Sequence, residues 1–194
     1  IWITHHHGDH TAGVATLAGD GVEVFGPAGI GGIDTVLDGG SSFAFAGREV
    51  EVISTPGHTL AMLNYYLPAE KLVFTGDTLF AMGCGRLFEG DAPLMWDSLC
   101  KLMALADDTV VYCGHEYTAA NARFALSVDP ANTALQRRAK AVDELRSIDQ
   151  PTVPTMIALE KATNPFLRAG DAGLRAHLGM EGASDADVFA EVRR

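Results

Sequence analysis

Between Thr4 and His10 the chain reads THHHGDH, four histidines and an aspartate within six positions, directly behind the apolar start Ile1-Trp2-Ile3. Imidazoles and carboxylates crowded in this way are costly to bring out of water unless something shares them. A purification tag is an unbroken histidine run, and it would not set Gly8, Asp9 and His10 in register behind a β-type segment. The stretch therefore constrains the fold, which must carry matching polar groups to it from elsewhere.

Those groups are present. His58 in TPGHT follows a strand pattern over Glu49–Ile53, Asp77 in FTGDT follows one over Leu72–Thr75, and His115 in YCGHEYT follows one over Val110–Cys113. A glycine directly precedes each, permitting a sharp turn that aims the side chain off the strand end. Any one of these histidines alone reads as a cap or a surface residue; the ordered set reads as a metal site. His5 and His7, two apart in extended chain, point to one side and can share an ion, while His6 points away. Asp9 and His10 fall where the chain turns into a helix and aim at a neighbouring position. Zinc and similar ions take imidazole nitrogen and carboxylate oxygen at about 2 Å. Five histidines and two carboxylates suit two ions with one carboxylate bridging, and two ions ~3.5–4 Å apart are a hydrolytic device. His177 lies in a helical pattern and is read as a non-ligand.

The elements around these motifs set the fold class. A strand is predicted over Val22–Phe25, a hairpin over Ser42–Phe45 and Glu49–Ile53, and a pair over Met62–Tyr66 and Leu72–Thr75. Pro93–Leu105 is a helical pattern with Leu94, Leu99, Leu102 and Met103 inward, and Val110–Cys113 is a last apolar strand. Beyond Tyr117 the pattern becomes helical: Thr118–Val128, Ala131–Ser147, Ala169–Leu178 and Ser184–Arg194, with Ser184 as a cap. Ser147–Pro165, with three prolines, reads as an extended connector. With 194 residues, 47% of them hydrophobic, the chain can bury a sizeable core.

A net charge of −11 excludes broad nucleic-acid binding and leaves any anionic substrate to a few locally placed cations. No apolar run reaches the ~18 residues that suggest a bilayer span, so no membrane partner is expected. Cys84, Cys100 and Cys113 form no C-x-x-C pair and read as free thiols of a reducing cytoplasm. The start on Ile1 rather than methionine reads as a fragment whose beginning lies elsewhere.

THHHGDH, TPGHT, FTGDTLF and GHEYT, in this order, resemble the metallo-β-lactamase superfamily. GCGRLFEG, GHEYTAANARFAL, TNPFLR and the helical end resemble glyoxalase II, the hydroxyacylglutathione hydrolases. The resemblance implies an α/β (α+β) αββα sandwich over 1–115, its first strands missing here, and a small all-helical substrate-binding domain over 116–194. It places one metal on His5, His7 and His58 and a second on Asp9, His10 and His115, with Asp77 bridging. Asp9 and Asp77 are then also the catalytic carboxylates. The metals are expected to be zinc, with iron or manganese as alternatives.

The implied reaction is hydrolysis of the thioester S-D-lactoylglutathione by a hydroxide held between the metals, the second step of methylglyoxal detoxification. The implied substrate contacts are Arg86, Phe88, His115, Tyr117 and Arg193. Many relatives carry lysine and tyrosine where this chain has Arg86 and Phe88, and the family pattern continues past Arg193-Arg194 to a lysine. A monomer is expected. Two rivals stand beside this reading. One is a glutathione persulfide dioxygenase with a single iron, which shares GCGR but lacks the GHEYT tyrosine and the long helical tail. The other is a truncated metal-binding remnant without turnover.

Overall fold

A computed structural model describes all 194 residues. At its centre lies a six-stranded sheet in the order β10-β9-β6-β5-β4-β3. Its strands are β3 (Ser42–Phe45), β4 (Arg48–Ser54), β5 (Leu63–Leu67), β6 (Leu72–Gly76), β9 (Val110–Cys113) and β10 (Thr155–Met156). All neighbours are antiparallel except β6 and β9. Two short pairs flank it: β1 (Phe25–Gly26) with β2 (Thr35–Val36), parallel, and β7 (Leu79–Phe80) with β8 (Gly83–Cys84), antiparallel. The helices are α1 (Gly8–Thr11), α2 (Val14–Leu17), α3 (Ala92–Met103), α4 (Thr118–Val128), α5 (Thr133–Ser147), α6 (Ile157–Thr163), α7 (Ala172–Leu178) and α8 (Asp185–Arg193).

The strand alternation separates two cores, because successive side chains leave opposite faces of a sheet. On one face Val73 and Val111 join Leu99, Leu102, Ile157, Phe189 and their neighbours in a cluster of 15 buried residues. On the other, Val50, Val52, Leu63, Tyr65 and Leu67 bury against Leu37, with Trp2, Phe25, Phe43 and Phe74 packed around them. The first face is covered by α3, α6, α7 and α8, so the helical end and the strand-rich part share one core.

Several predicted elements differ. The strand expected over Val22–Phe25 shifts to Phe25–Gly26, and the apolar start contributes only the bridge Trp2–Phe25. Of the two sheets of the expected sandwich, the second is represented by these short parallel pieces. The expected connector Ser147–Pro165 carries β10 and the helix α6. Its prolines flank α6 rather than interrupt it, and Ala-Leu-Glu-Lys-Ala between them has high helix propensity. Inward positions of α3 are Met95, Ser98, Leu99 and Leu102, while Leu94 and Met103 are only half-buried. Ser184 does cap α8, its hydroxyl accepting from the Asp187 N–H.

Phe189 is fully buried and lies 6.0 Å from the Trp96 ring. Phe189→Ala should cost about 3–5 kcal/mol through lost burial and a cavity. Because α8 and the sheet share a core, Trp2 fluorescence (in a Trp96→Phe background) and far-UV circular dichroism should report one common, earlier urea transition. Two separated transitions would show that the shared core does not couple the parts.

Candidate metal centre

The polar cluster lies where the ends of β6 and β9 meet the loop after Ser54 and the segment entering α1. Residues 1–7 run extended without forming a strand, held by Ile3 N–H to Phe25 O and by Leu63 N–H to Thr4 O. The turn into α1 at Gly8 then brings Asp9 and His10 back toward the sheet. Gly76 has φ 45, a left-handed conformation that lets the chain turn so that Asp77 enters the cluster. Gly114 answers a different need: a Cβ there would lie 2.6 Å from Asp77 Oδ1 and 2.9 Å from His10 Cε1.

The nitrogens converge as two groups. His7 Nδ1 lies 3.2 Å from His5 Nε2 and 3.0 Å from His58 Nε2. His10 Nε2 lies 3.2 Å from His115 Nε2, and Asp9 Oδ2 lies 3.4 Å from the latter. Asp77 stands between them. Its Oδ1 is 3.3 Å from His10, and its Oδ2 is 3.3 Å from His115 and 3.5 Å from His58. His5 also comes within ligand-sharing reach of His10 and Asp77. The alternation reading fits at His6, which is exposed and pairs with Glu89 Oε1 at 3.2 Å. His177 lies in the last turn of α7, away from the cluster.

Proton bookkeeping shows what this set lacks. His58 Nδ1 faces the Arg86 carbonyl at 2.8 Å. A carbonyl can only accept, so the proton sits on Nδ1 and Nε2 presents a bare lone pair. That lone pair points at a carboxylate oxygen and at a second ring nitrogen. Asp77 Oδ1, fully shielded from solvent, has no well-formed hydrogen bond. Acceptors therefore face acceptors in a buried site, which is costly without a cation. Divalent ions fit the donor set: imidazole nitrogen and carboxylate oxygen, with no thiolate among the grouped residues.

The titration tendencies of the two most buried rings, His5 and His58, agree. Burial, followed by the nearby His10 charge, pushes His5 down to about 3, so its imidazole is neutral and able to ligate. Burial likewise lowers His58. The Asp77 carboxylate, 3.3 Å from its Nε2, raises His10. Burial alone would raise the Asp77 carboxyl, but the close His10 ring and the charges of His10, His115 and His5 outweigh it and hold it below its ordinary value.

The cluster forms one wall of a cavity of about 680 Å³. Arg86, Phe88, His115, Tyr117 and Arg193, the residues singled out for substrate, all lie on its lining. Tyr117 stacks on His115 with centroids 4.8 Å apart, and Phe88 sets its edge against His7 and His58. Sequence reasoning missed Phe80, Cys84 and Asn121, which complete the walls. No local pattern marks them, because they arrive through the β7–β8 hairpin and the second turn of α4. A separate apolar cleft of about 650 Å³, lined by Trp2, Phe45, Phe74 and Tyr112, lies on the other side of His10.

Residues 19–115 match the family model of the metallo-beta-lactamase superfamily, and residues 116–194 match that of the hydroxyacylglutathione hydrolase C-terminus. The hydroxyacylglutathione hydrolase of Rhizobium meliloti is 57% identical over 199 residues, spanning 100% of this chain and 78% of that protein. The one from Brucella anthropi is 56% identical, spanning 100% and 76%. Among solved structures, ETHE1 from Myxococcus xanthus is similar with a TM-score of 0.66 at 26% identity, over 99% of this chain and 66% of that one. The BLEG-1 B3 metallo-beta-lactamase has a TM-score of 0.61 at 24% identity, over 86% and 76%, a likeness of fold.

Zinc binding measured by elemental analysis and competition with a chelator should separate the residues of the cluster. His7→Ala and Asp77→Ala should each weaken it at least about tenfold. Gly114→Ala should weaken it as well, since its methyl displaces Asp77. His6→Ala should leave it unchanged, and a loss there equal to that of His7→Ala would refute the grouping.

Proposed function

The chain belongs to the hydroxyacylglutathione hydrolase family of the metallo-beta-lactamase superfamily, and from that premise we propose that it hydrolyses S-(2-hydroxyacyl)glutathione thioesters. S-D-lactoylglutathione is the substrate, and glutathione and D-lactate are the products. This is the second step of methylglyoxal detoxification. The observation that carries the proposal is the cavity, in which a cation-demanding cluster faces two arginines across one space.

His5, His7 and His58 would hold one divalent ion and Asp9, His10 and His115 a second, with Asp77 between them; zinc is the proposed metal. Such ions supply a water of lowered pKa and polarise a thioester carbonyl. The chain's own residues do the rest. Asp9, with a largely exposed side chain at the cavity edge, is placed to orient the attacking water. His58 is held in one tautomer by the Arg86 carbonyl, so the loop that shapes the substrate site also fixes a ligand. The leaving thiolate, of pKa about 8.5, departs with little help from an acid. No nucleophilic serine or cysteine is needed, and Cys84, whose thiol burial pushes up to about 12, is unsuited to act as one.

The glutathione part would lie against residues of both segments. Arg86 and Arg193 are free of carboxylate partners within the chain and can meet the substrate's carboxylates. Arg193 also rests 5.5 Å above the Phe166 ring, which holds its guanidinium near the cavity. In this reading residues 1–115 supply the metal ligands, the chemistry and Arg86, and 116–194 complete the grip on the tripeptide through Tyr117 and Arg193. We place the protein as a monomer in the cytoplasm without nucleic-acid or membrane partners. Its three thiols are free, and no helix is long and apolar enough to cross a membrane.

The purified, zinc-loaded chain should hydrolyse S-D-lactoylglutathione and lose that activity to a chelator until zinc is returned. No turnover with full metal content would defeat the proposal, and oxygen consumption with glutathione persulfide would favour the dioxygenase instead. Arg193→Ala should raise KM with kcat and zinc content nearly unchanged, because a contact made equally in ground and transition states is lost. Its cost should be about 1.5–3 kcal/mol in kcat/KM, and that of Tyr117→Phe about 0.5–1.5 kcal/mol. A thioester lacking the γ-glutamyl and glycine ends should be indifferent to both changes.

A further inference from the structure

The β7–β8 hairpin pairs only with itself among strands. The main-chain groups of its turn are taken by side chains from the helical part. Glu160 Oε2 accepts from the Met82 N–H at 2.8 Å, and Asn164 Nδ2 donates to the Phe80 and Gly83 carbonyls at 3.3 and 3.0 Å. Asn121 Nδ2 donates to the Ala81 carbonyl at 2.9 Å. Four consecutive residues of a tight turn are thus held from outside. At the tip Met82 adopts φ 55, a left-handed conformation that a methionine keeps only when its surroundings impose it.

Glu160 is fully buried, and its other oxygen is paired with Arg138 Nη2 at 2.5 Å and Thr155 Oγ1 at 2.6 Å. Arg138 Nη1 continues to Thr163 Oγ1 at 2.6 Å. Burying such a charge pair gains little stability over an apolar pair of similar volume. Its value lies in direction, since a carboxylate with one oxygen held by the Arg138 Nη2 and the Thr155 hydroxyl offers its second oxygen at one place. That place lies between the Met82 N–H and the Asn164 amide, which donates to the same oxygen at 3.0 Å. From the hairpin the chain passes at once into the binding cavity. The Phe80 ring meets those of His115 and Tyr117 at 5.9 and 5.6 Å, Cys84 lines the wall, and Arg86 lies two residues further on.

We infer that Glu160, held by Arg138, is a positioning residue for substrate binding, setting the hairpin at 79–84 so that Phe80 and the Arg86 loop form the surface that accepts glutathione. Glu160 touches no substrate and no metal-binding group. The ligand named rests on the glutathione reading above; the mechanical role rests on the hydrogen bonds alone.

The test compares the zinc-loaded parent with Glu160→Gln, which keeps the volume but gives one acceptor where two are needed, and with Arg138→Lys, which keeps the charge but loses the fork. Five quantities are read: kcat and KM for S-D-lactoylglutathione, the Kd of S-methylglutathione (a thioether that cannot be hydrolysed), zinc content, and hydrogen exchange of the Met82 amide. In both variants KM and Kd should rise about tenfold, the worth of one charge-assisted hydrogen bond. The kcat and zinc content should hold within about twofold by the same division of binding from chemistry, and Met82 should lose protection.

A lower melting temperature with unchanged KM and Kd would overturn the inference, showing a merely structural network. Unchanged Met82 exchange in Glu160→Gln would overturn it too. If Glu160→Gln fails to fold, Thr155→Val removes one bond to Glu160 and leaves the charge pair, and the same shifts should appear in smaller size. A parent that neither binds S-methylglutathione nor cleaves the thioester overturns the glutathione reading and the ligand named here, while the Met82 exchange still decides whether Glu160 holds the hairpin.

Discussion

A shortage of protons organises this structure. Seven side chains brought to one place have more lone pairs than hydrogens to share. The clearest instance is His58, whose only ring proton is committed to the Arg86 carbonyl while its bare nitrogen faces Asp77. Such a cluster is unfavourable as protein alone and becomes favourable when cations enter. The two-sided sheet and the close approach of Gly114 can be seen as means of holding this arrangement together until it is filled. Glycine at 114 is the sharpest case, because there any side chain would occupy the place of the Asp77 carboxylate.

The same His58 proton joins the chemistry to recognition. The loop from Arg86 to Gly90 lies along residues 57–60, with Phe88 N–H to His58 O, Gly90 N–H to Gly57 O and the Glu89 carboxylate on Leu60 N–H. Glu89 also reaches His6, so the histidine that looks away from the metals still ties the metal segment to this loop. A displacement of the loop is therefore felt at the His58 ring of the cluster, and the reverse holds as well. In the proposed role, metal content and substrate affinity are linked through this one hydrogen-bonded unit.

What the sequence disclosed and what it hid follow from the range of the interactions. The hairpin of Ser42–Phe45 with the following strand, and the helix Thr118–Val128, are set by alternation and periodicity within a few residues, and both were legible. The grouping of the cluster was legible too, because four of its members crowd into His5–His10 and His58, Asp77 and His115 each stand behind a glycine after a strand. The helix Ile157–Thr163 was hidden by the prolines around it, which signal interruption whether they stand inside an element or beside it. Arg138 and Glu160 were invisible for another reason. They are 22 residues apart, each looks like an ordinary charge on a helix face, and only packing reveals that both are buried. The shift of the first strand to Phe25–Gly26 is likewise decided by tertiary pairing, with Trp2 and Thr35 selecting the register.

The charge distribution gives the cavity its selectivity in the proposed role. The chain carries −11 overall, a field that opposes any anionic ligand at a distance. Beyond about 8–10 Å that opposition is screened at physiological salt, so what matters is which charges lie within contact range. Most arginines elsewhere are spent on the chain's own acids: Arg48 on Glu70, Arg168 on Asp129 and Asp171, Arg175 on Asp185. Arg86 and Arg193 are not, and both open onto the space that holds the metal cluster. In the proposed role, these two guanidinium forks, without carboxylate partners in the chain and sharing one cavity, meet carboxylates that come from outside. A ligand with carboxylates at both ends and a reactive centre between them answers that arrangement, and a small uncharged thioester does not.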